Sequence, residues 1–292
     1  MEARGKQDLW IGQKPEVLEV LREQAIIQSA ESSNRIEGVT VAANRLRPLV
    51  TGRARPRDRS EEELAGYRAA LDWIFSRKNR VAITPDVIRR LRALSQGGSS
   101  GDAGEWKKRD NEIVEILPGG ERSLRFVPVS AKKTPAAMEM LCRRYRAVGD
   151  EERVPPLLMV ATFVLDLLCI HPFRDGNGRV SRLATSLLLQ SQGFQVARYI
   201  SLERHIEESK EEYYKVLKLC SQVGTKARTR SFRGGTISSA CCEAPTRSSR
   251  GKSNRLRLGR PRAIWFARPC SCTWSRSLWP TWRRSCPRRV VN

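Results

Sequence analysis

Apolar side chains recur at the spacing of an α-helix along most of the first 220 residues. Between residues 15 and 32 they line one face: Val17, Leu18, Leu21, Ala25 and Ile26. Pro15 suits the first turn of such a helix, and Gly38 suits the position that follows its end. The pattern therefore predicts an amphipathic helix that runs toward residues 33–38.

Further segments carry the same period. Ser60, followed by three glutamates, predicts a helix N-terminus, and so does the pair Thr84-Pro85. We also expect one helix at residues 135–148 and a single helix at residues 201–220.

Two segments are apolar on nearly every side, at residues 157–170 and 183–189. A helix without a polar face is typical of a protein interior, so we place these two helices at the centre of the fold.

One stretch departs from the helical period. Residues 111–116 and 124–127 are rich in β-branched and apolar side chains, and the turn Pro118-Gly119-Gly120 separates them. This pattern predicts a β-hairpin. A lone hairpin is rarely stable by itself, so we expect it to lie across the helices as a lid or flap; a surface decoration is the alternative. The fold class is therefore mainly α with one β-hairpin and an irregular C-terminal tail.

Charge divides the chain unevenly. The net charge is +23, yet residues 221–292 hold 17 Lys or Arg and one acidic residue, whereas residues 1–220 hold 37 basic and 30 acidic residues. A polyanionic partner is therefore suggested by the tail alone. We expect an N-terminal helical region at residues 1–60, a core domain at residues 61–221 and an aberrant, disordered tail at residues 222–292.

Targeting signals are not evident. There is no N-terminal apolar segment of the signal-peptide type, no apolar run long enough to span a bilayer and no pair of CxxC units for zinc. We therefore expect a cytoplasmic protein with no membrane partner.

Candidate chemistry concentrates in residues 171–182, HPFRDGNGRVSR, between the two buried helices. The turn Gly176-Asn177-Gly178 precedes a helix, where backbone N–H groups favour anions. Arg179 and Arg182 lie three residues apart, on one helical face, and suit phosphate oxygens. Asp175 offers the hard oxygen that Mg²⁺ prefers, and His171 has the pKa range of a general base. Each piece has a structural alternative, but the whole set in twelve residues indicates a phosphate site beside a base.

These residues resemble the signature HxFx[D/E]GNGRxxR of the Fic family, and every defined position matches. The resemblance covers roughly residues 10–220 and implies a helical bundle with a hairpin flap. It implies transfer of AMP from ATP to a Tyr, Ser or Thr hydroxyl of a target protein. The target segment would align on the flap at Ile113, Val114, Glu115 and Ile116 by strand pairing.

The resemblance also implies a role for each motif residue. His171 would deprotonate the target hydroxyl, and Asp175 would hold Mg²⁺ between the α- and β-phosphates. The turn at residues 176–178 would form an anion hole, while Arg179 and Arg182 would orient the β- and γ-phosphates.

The same family resemblance extends to a second motif, nearer the N-terminus. Residues 33–38, SNRIEG, resemble the inhibitory sequence [S/T]xxxE[G/N] of the same family. By that resemblance Glu37 would pair with Arg182 and obstruct the γ-phosphate, and Ser33 would contact the same anion region. Without it, Glu37 would be interpreted as a solvated carboxylate near a helix end.

The tail from residue 222 resembles a frameshift product. Codon choices exist that, read from each third base starting at Gln222, give GWHEGENEIVPWWNYFLSVLRGAYQEF, which is similar to the usual continuation of Fic cores. Between residues 262 and 287 the same offset permits the start of a winged-helix module. In this hypothesis the chain lacks its last core helices, and the charge of the tail identifies no partner.

Four functions stay open on the sequence. The first is AMP transfer restrained by Glu37, and the second is removal of AMP at the same site. The third is a DNA-binding regulator acting through the basic tail, with DNA as partner only if a winged helix is intact. The fourth is an inactive product with an incomplete core. A second copy of the chain is a further candidate partner, through self-modification or a homodimer.

Overall fold

Most of the helices that the apolar period predicts are present in the computed structural model, which describes residues 14–76, 81–97, 104–116, 119–150 and 154–231. In chain order its α-helices are α1 (Pro15–Ile36), α2 (Ala43–Val50), α3 (Arg59–Phe75), α4 (Pro85–Ser95), α5 (Thr134–Asp150), α6 (Pro156–Ile170), α7 (Asn177–Ser191), α8 (Leu202–Glu208) and α9 (Lys210–Ser231). One two-stranded sheet accompanies them in this part of the chain. The prediction of a mainly α fold with one hairpin is confirmed.

Side-chain caps fix where α3 and α4 begin, as Ser201 does for α8. Thr84 starts α4 as predicted, because its hydroxyl oxygen accepts the N–H of Val87 at 3.2 Å. Ser60 is the wrong cap for α3. Asp58 has extended backbone there, and its carboxylate accepts the N–H of Glu61 at 2.9 Å, so the helix begins at residue 59.

The single helix expected at residues 201–220 is wrong, since α8 and α9 divide this segment. Ser209 separates them with a backbone φ of −113°. Its hydroxyl donates to the carbonyl of His205 at 2.7 Å, which satisfies a carbonyl at the end of α8. Helix α2 has no counterpart among the predicted helices, because it is short and contains Pro48.

The two apolar helices α6 and α7 lie at the centre, as predicted. Helix α6 packs on α5 and α7, and α7 also packs on α4. Helices on both sides of residue 60 share this core, which includes Ile27, Leu49 and Leu64. The N-terminal region thus packs within the same unit, residues 1–210, as the segment that carries the motif.

The hairpin pairs β1 (Ile113–Ile116) with β2 (Arg122–Phe126) in antiparallel register. Ile113 pairs with Phe126 and Val114 with Leu124, with an irregularity between the first two positions of β1. Phe126 is buried, whereas Val114 and Leu124 are exposed, so the hairpin is anchored at one end.

Residues 211–292 form a separate unit, described only through residue 231. Helix α9 continues to Ser231, past the predicted border at residue 222. The remaining predicted tail and its winged-helix reading lie outside the described residues and stay predictions. None of the described helices is both long and apolar enough to cross a membrane.

The crossing of α3 and α4 is close enough to test. A Cβ on Gly66 would lie 2.5 Å from the carbonyl oxygen of Leu94 and 2.6 Å from the nitrogen of Gly97, both backbone atoms that cannot yield easily. We therefore expect Gly66→Ala to lower the free energy of unfolding by about 1–3 kcal/mol, measured by urea denaturation. Gly149→Ala is the control, because its Cβ would meet only the flexible end of Met159 at 3.4 Å. Equal stability of both variants would contradict this packing.

Candidate active site

Residues 171–176 form a tight connection between the two central helices. His171 ends α6 in the left-handed region, with a φ of 52°, and it is the one non-glycine residue with positive φ in the described part of the chain. Gly176 has a φ of 72° and precedes the first residue of α7. A strained non-glycine residue at a helix end is typical of a functional position, and here it carries the candidate base.

Two side chains hold this loop rigidly. Phe173 is buried, and its ring centroid lies 5.1 Å from that of Trp106. The amide of Asn177 accepts the N–H of Phe173 at 2.9 Å and donates to its carbonyl at 2.8 Å. The predicted contribution of Asn177 to phosphate binding would therefore come from its backbone N–H at the start of α7.

The base of the hairpin is tied to the same loop. Lys107 donates its backbone N–H to the carbonyl of Pro172 at 2.9 Å. Its buried ammonium donates to the side-chain oxygen of Asn111 at 2.7 Å and to the carbonyl of Ile170 at 3.3 Å. Asn111 in turn donates to the carbonyl of Phe173 at 3.4 Å, two residues before β1 begins. The predicted flap and the candidate base thus share one set of contacts.

The environment of His171 favours its neutral form. Burial lowers the pKa of His171 to about 4, and the positive charge of Lys107 acts in the same direction. An interaction with the backbone of Leu168 and the negative charges of Glu37 and Asp175 oppose this lowering of the pKa. The imidazole is therefore unprotonated at neutral pH and able to accept a proton.

Arg182 is enclosed by the protein, with its side chain only 3% exposed. Its Nε donates to the hydroxyl of Ser33 at 3.0 Å, and Nη2 donates to the Ser33 carbonyl at 3.1 Å. Nη2 also donates to Oε1 of Glu37 at 2.7 Å. The ion pair between the two sequence motifs, expected from the family resemblance, is present in the structure.

The same carboxylate lies over the start of α7. A Cβ added to Gly178 would overlap the Glu37 oxygen that contacts Arg182, so only glycine permits this approach. The carboxylate therefore occupies the region where the helix N-terminus and the arginine favour an anion.

Arg179 has partners that sequence reasoning missed. Its Nη1 donates to Oε2 of the buried Glu63 at 2.6 Å and lies 3.4 Å from the side-chain oxygen of Asn34. These contacts join α7 to α3 and α1. The predicted phosphate role of Arg179 remains a prediction, and the partner it has in the structure is a carboxylate of the protein itself. No signal along the chain links positions 63 and 179, because the pairing depends on how α3 packs.

Asp175 fits the ligand requirements of Mg²⁺. Its side chain is 56% exposed, and one oxygen accepts the N–H of Gly176 at 2.6 Å. The other oxygen lies 3.8 Å from the guanidinium groups of Arg179 and Arg59. Magnesium is commonly bound by one or two carboxylates together with substrate phosphates and water, so a single exposed carboxylate beside a phosphate site is a suitable donor set.

The titration of His171 provides a direct test. We expect its imidazole to stay neutral down to about pH 5 and to take up a proton near pH 4, because burial and Lys107 lower its pKa. The chain has two histidines, so ¹⁵N-detected imidazole shifts are assigned with a His205→Gln variant. A midpoint at pH 6.5 or above would show that the ring is solvated.

Several known proteins have sequences similar to that of this chain. Residues 82–189 match the model of the Fic/DOC family. A protein adenylyltransferase Fic from Nematostella vectensis is 26% identical over 200 residues, which are 66% of this chain and 43% of that protein. A protein adenylyltransferase fic-1 from Caenorhabditis elegans is 27% identical over 168 residues, which are 54% of this chain and 30% of that protein. The chain thus spans less than half the length of these relatives.

The fold has solved counterparts. A Fic domain containing signaling protein from Bacteroides thetaiotaomicron superposes with a TM-score of 0.64 at 24% identity, over 76% of this chain and 82% of that one. Its likeness concerns the fold, whereas the family match includes the loop at residues 171–176, helix α6 and most of α7, but not α1 or α3. Residues 82–189 of this chain therefore form a segment that is similar to the Fic/DOC family.

Proposed function

We propose that the chain transfers AMP from ATP to a hydroxyl side chain of a protein, and that Glu37 restrains the reaction at Arg182. The observation that carries this proposal is the Glu37 carboxylate, which contacts Arg182 at 2.7 Å and lies against Gly178. A protein anion held at an anion site competes with phosphate for the same donors. The names of the adenylyltransferase relatives support the reaction class.

ATP binding would replace one anion by another. The N–H groups at the start of α7 would receive phosphate oxygens, and Arg182 would exchange the Glu37 carboxylate for the terminal phosphates. Glu37 is suited to leave, because its side chain is 26% exposed and lies at the end of α1. The reaction then depends mainly on positioning and on charge neutralisation.

His171 would accept the proton of the target hydroxyl. The hydroxyl oxygen attacks the α-phosphorus, the bond from that phosphorus to the bridging oxygen breaks, and pyrophosphate leaves with the released electron pair. Glu37 and Asp175 oppose the lowering of the pKa of His171 by burial. The phosphates of ATP carry more negative charge than the Glu37 carboxylate that they would displace, so they would oppose this lowering more strongly. The base would thus become stronger when substrate is bound.

Asp175 would hold Mg²⁺, which neutralises phosphate charge when bound. The hairpin would receive the target segment along β1 by strand addition. The contacts of Lys107 and Asn111 with the loop support this placement, because they fix the start of β1 beside His171.

The inhibitory role of Glu37 is tested by removing its carboxylate. We expect Glu37→Gly and Glu37→Gln to raise ATP-dependent labelling by about ten- to a hundredfold, because a hydrogen bond to a charged group contributes about 1.5–3 kcal/mol. The assay follows transfer of α-³²P-labelled AMP to the chain itself and to added protein.

Glu19→Gln is the matched control, since Glu19 is an exposed glutamate on the same helix. The double variant Glu37→Gly with His171→Ala should label no protein, which assigns the gain to this site. Equal labelling of the parent and both Glu37 variants would remove the inhibitory role, and labelling that survives loss of His171 would remove the proposed base.

Removal of AMP from a modified protein is the second candidate function. It is favoured by one observation: Glu37 is near enough to His171 for its negative charge to act on the pKa of the imidazole. In that reaction Glu37 would align a water for attack on the α-phosphorus. Incubation of AMP-modified protein with Mg²⁺ and without ATP separates the two: release of AMP that requires Glu37 supports removal, and no release leaves transfer alone.

A further inference from the structure

The position of the Glu37 carboxylate depends on the last turn of α1. Glu37 follows the final residue of that helix, and its N–H donates to the carbonyl of Asn34 at 3.0 Å. Gly38 donates to the carbonyl of Arg35 at 3.0 Å and, with a φ of 81°, directs the chain away from the helix. Whatever fixes this turn therefore fixes the carboxylate as well.

Helix α8 and the residue that begins α9 fasten the outer side of the turn. Arg35 contacts Glu207 with two nitrogens, Nε to Oε1 at 2.7 Å and Nη2 to Oε2 at 3.1 Å. A two-pronged contact of this kind sets direction as well as distance. Lys210 donates its ammonium to the carbonyl of Ile36 at 3.1 Å, and this carbonyl lies at a helix end, where it has no intrahelical donor.

The charge of Glu207 is maintained by these contacts. Partial burial by itself raises the pKa of Glu207, but the hydrogen bond and the positive charge of Arg35 act in the opposite direction, and the pKa lies below its ordinary value. At neutral pH the contact is thus between full charges. We name the pair Glu207 and Lys210, with their contacts to α1, the α8 latch.

Inner and outer contacts of the turn differ in what competes with them. On the inner side Ser33 and Glu37 contact Arg182. The phosphates of ATP would compete for the same guanidinium. The outer contacts of Arg35 and Ile36 use neither Arg182 nor the start of α7. ATP can therefore displace Glu37 from Arg182 without competing for the α8 latch, which continues to hold the turn close to the site.

We infer that Glu207 and Lys210 are positioning residues for the inhibitory carboxylate, holding the last turn of α1 where Glu37 meets Arg182. The inference rests on the proposed AMP transfer and its restraint by Glu37. It assigns regulation to a pair that contacts the end of α1 and touches neither the substrate nor residues 171–182. Loss of the latch lets Glu37 leave Arg182 more often and raises the rate of transfer with the site itself unchanged.

The test uses the whole 292-residue chain and compares two neighbouring glutamates. Glu207→Gln should raise AMP labelling by about two- to fivefold, the range that loss of one partly exposed ion pair produces. Glu208→Gln is the matched control, because Glu208 pairs with Arg204 of its own helix at 3.0 Å. Lys210→Gln is a second route to the same release. Exchange of the pair in Arg35→Glu with Glu207→Arg should restore the parental rate.

Two readouts separate positioning from general loosening. In the Glu37→Gly background, Glu207→Gln should add nothing, because the group it positions is gone. Amide hydrogen exchange of a peptide covering residues 30–40 should be faster in Glu207→Gln than in Glu208→Gln.

The outcomes are distinct. If Glu37→Gly itself gives no increase, the proposed restraint fails first. If Glu37→Gly raises labelling while Glu207→Gln and Lys210→Gln both match the control, the α8 latch is wrong and the restraint stands. An increase in Glu207→Gln that adds to that of Glu37→Gly also overturns the positioning role.

Discussion

A buried guanidinium must find acceptors, and this requirement organises the site around Arg182. Its side chain is 3% exposed, so its charge is removed from water and has to be met by protein atoms. Its acceptors include the hydroxyl and carbonyl of Ser33 and the carboxylate of Glu37. All three belong to the last turn of α1, which therefore has to end beside α7. The N-terminal helix is in this sense part of the site and not an addition to it.

The two arginines of the motif share a helical face but differ in the kind of partner they have. Arg179 meets Glu63, a buried carboxylate in the body of α3, at 2.6 Å. Arg182 meets Glu37, which is 26% exposed and follows the end of a helix. Separating the first pair would strand two charges in the interior, whereas the second carboxylate reaches solvent by a small movement. Exchange of ligands is therefore far less costly at Arg182 than at Arg179.

The apolar period located the central helices well, because burial on every side leaves an unmistakable signature in residues 157–170 and 183–189. Short-range chemistry was harder: Asp58 and Ser60 are both good caps, and the difference between them is a backbone conformation that the sequence does not display. The pairing of Glu37 with Arg182 could be predicted, because each residue belongs to a motif that the sequence displays. Lys107 belongs to no motif, so its position beside His171 cannot be predicted from the sequence and depends on how the helices pack.

The contacts of Lys107 and Asn111 with residues 170–173 make the hairpin an extension of the loop that follows α6. Since strand side chains alternate between two faces, the distance in residues from Asn111 to β1 decides which face each side chain of the strand presents. One residue inserted at Glu112 would reverse that alternation while leaving the loop in place. The spacing between Asn111 and β1 thus sets which side chains of the strand lie on each face for any chain that pairs with β1.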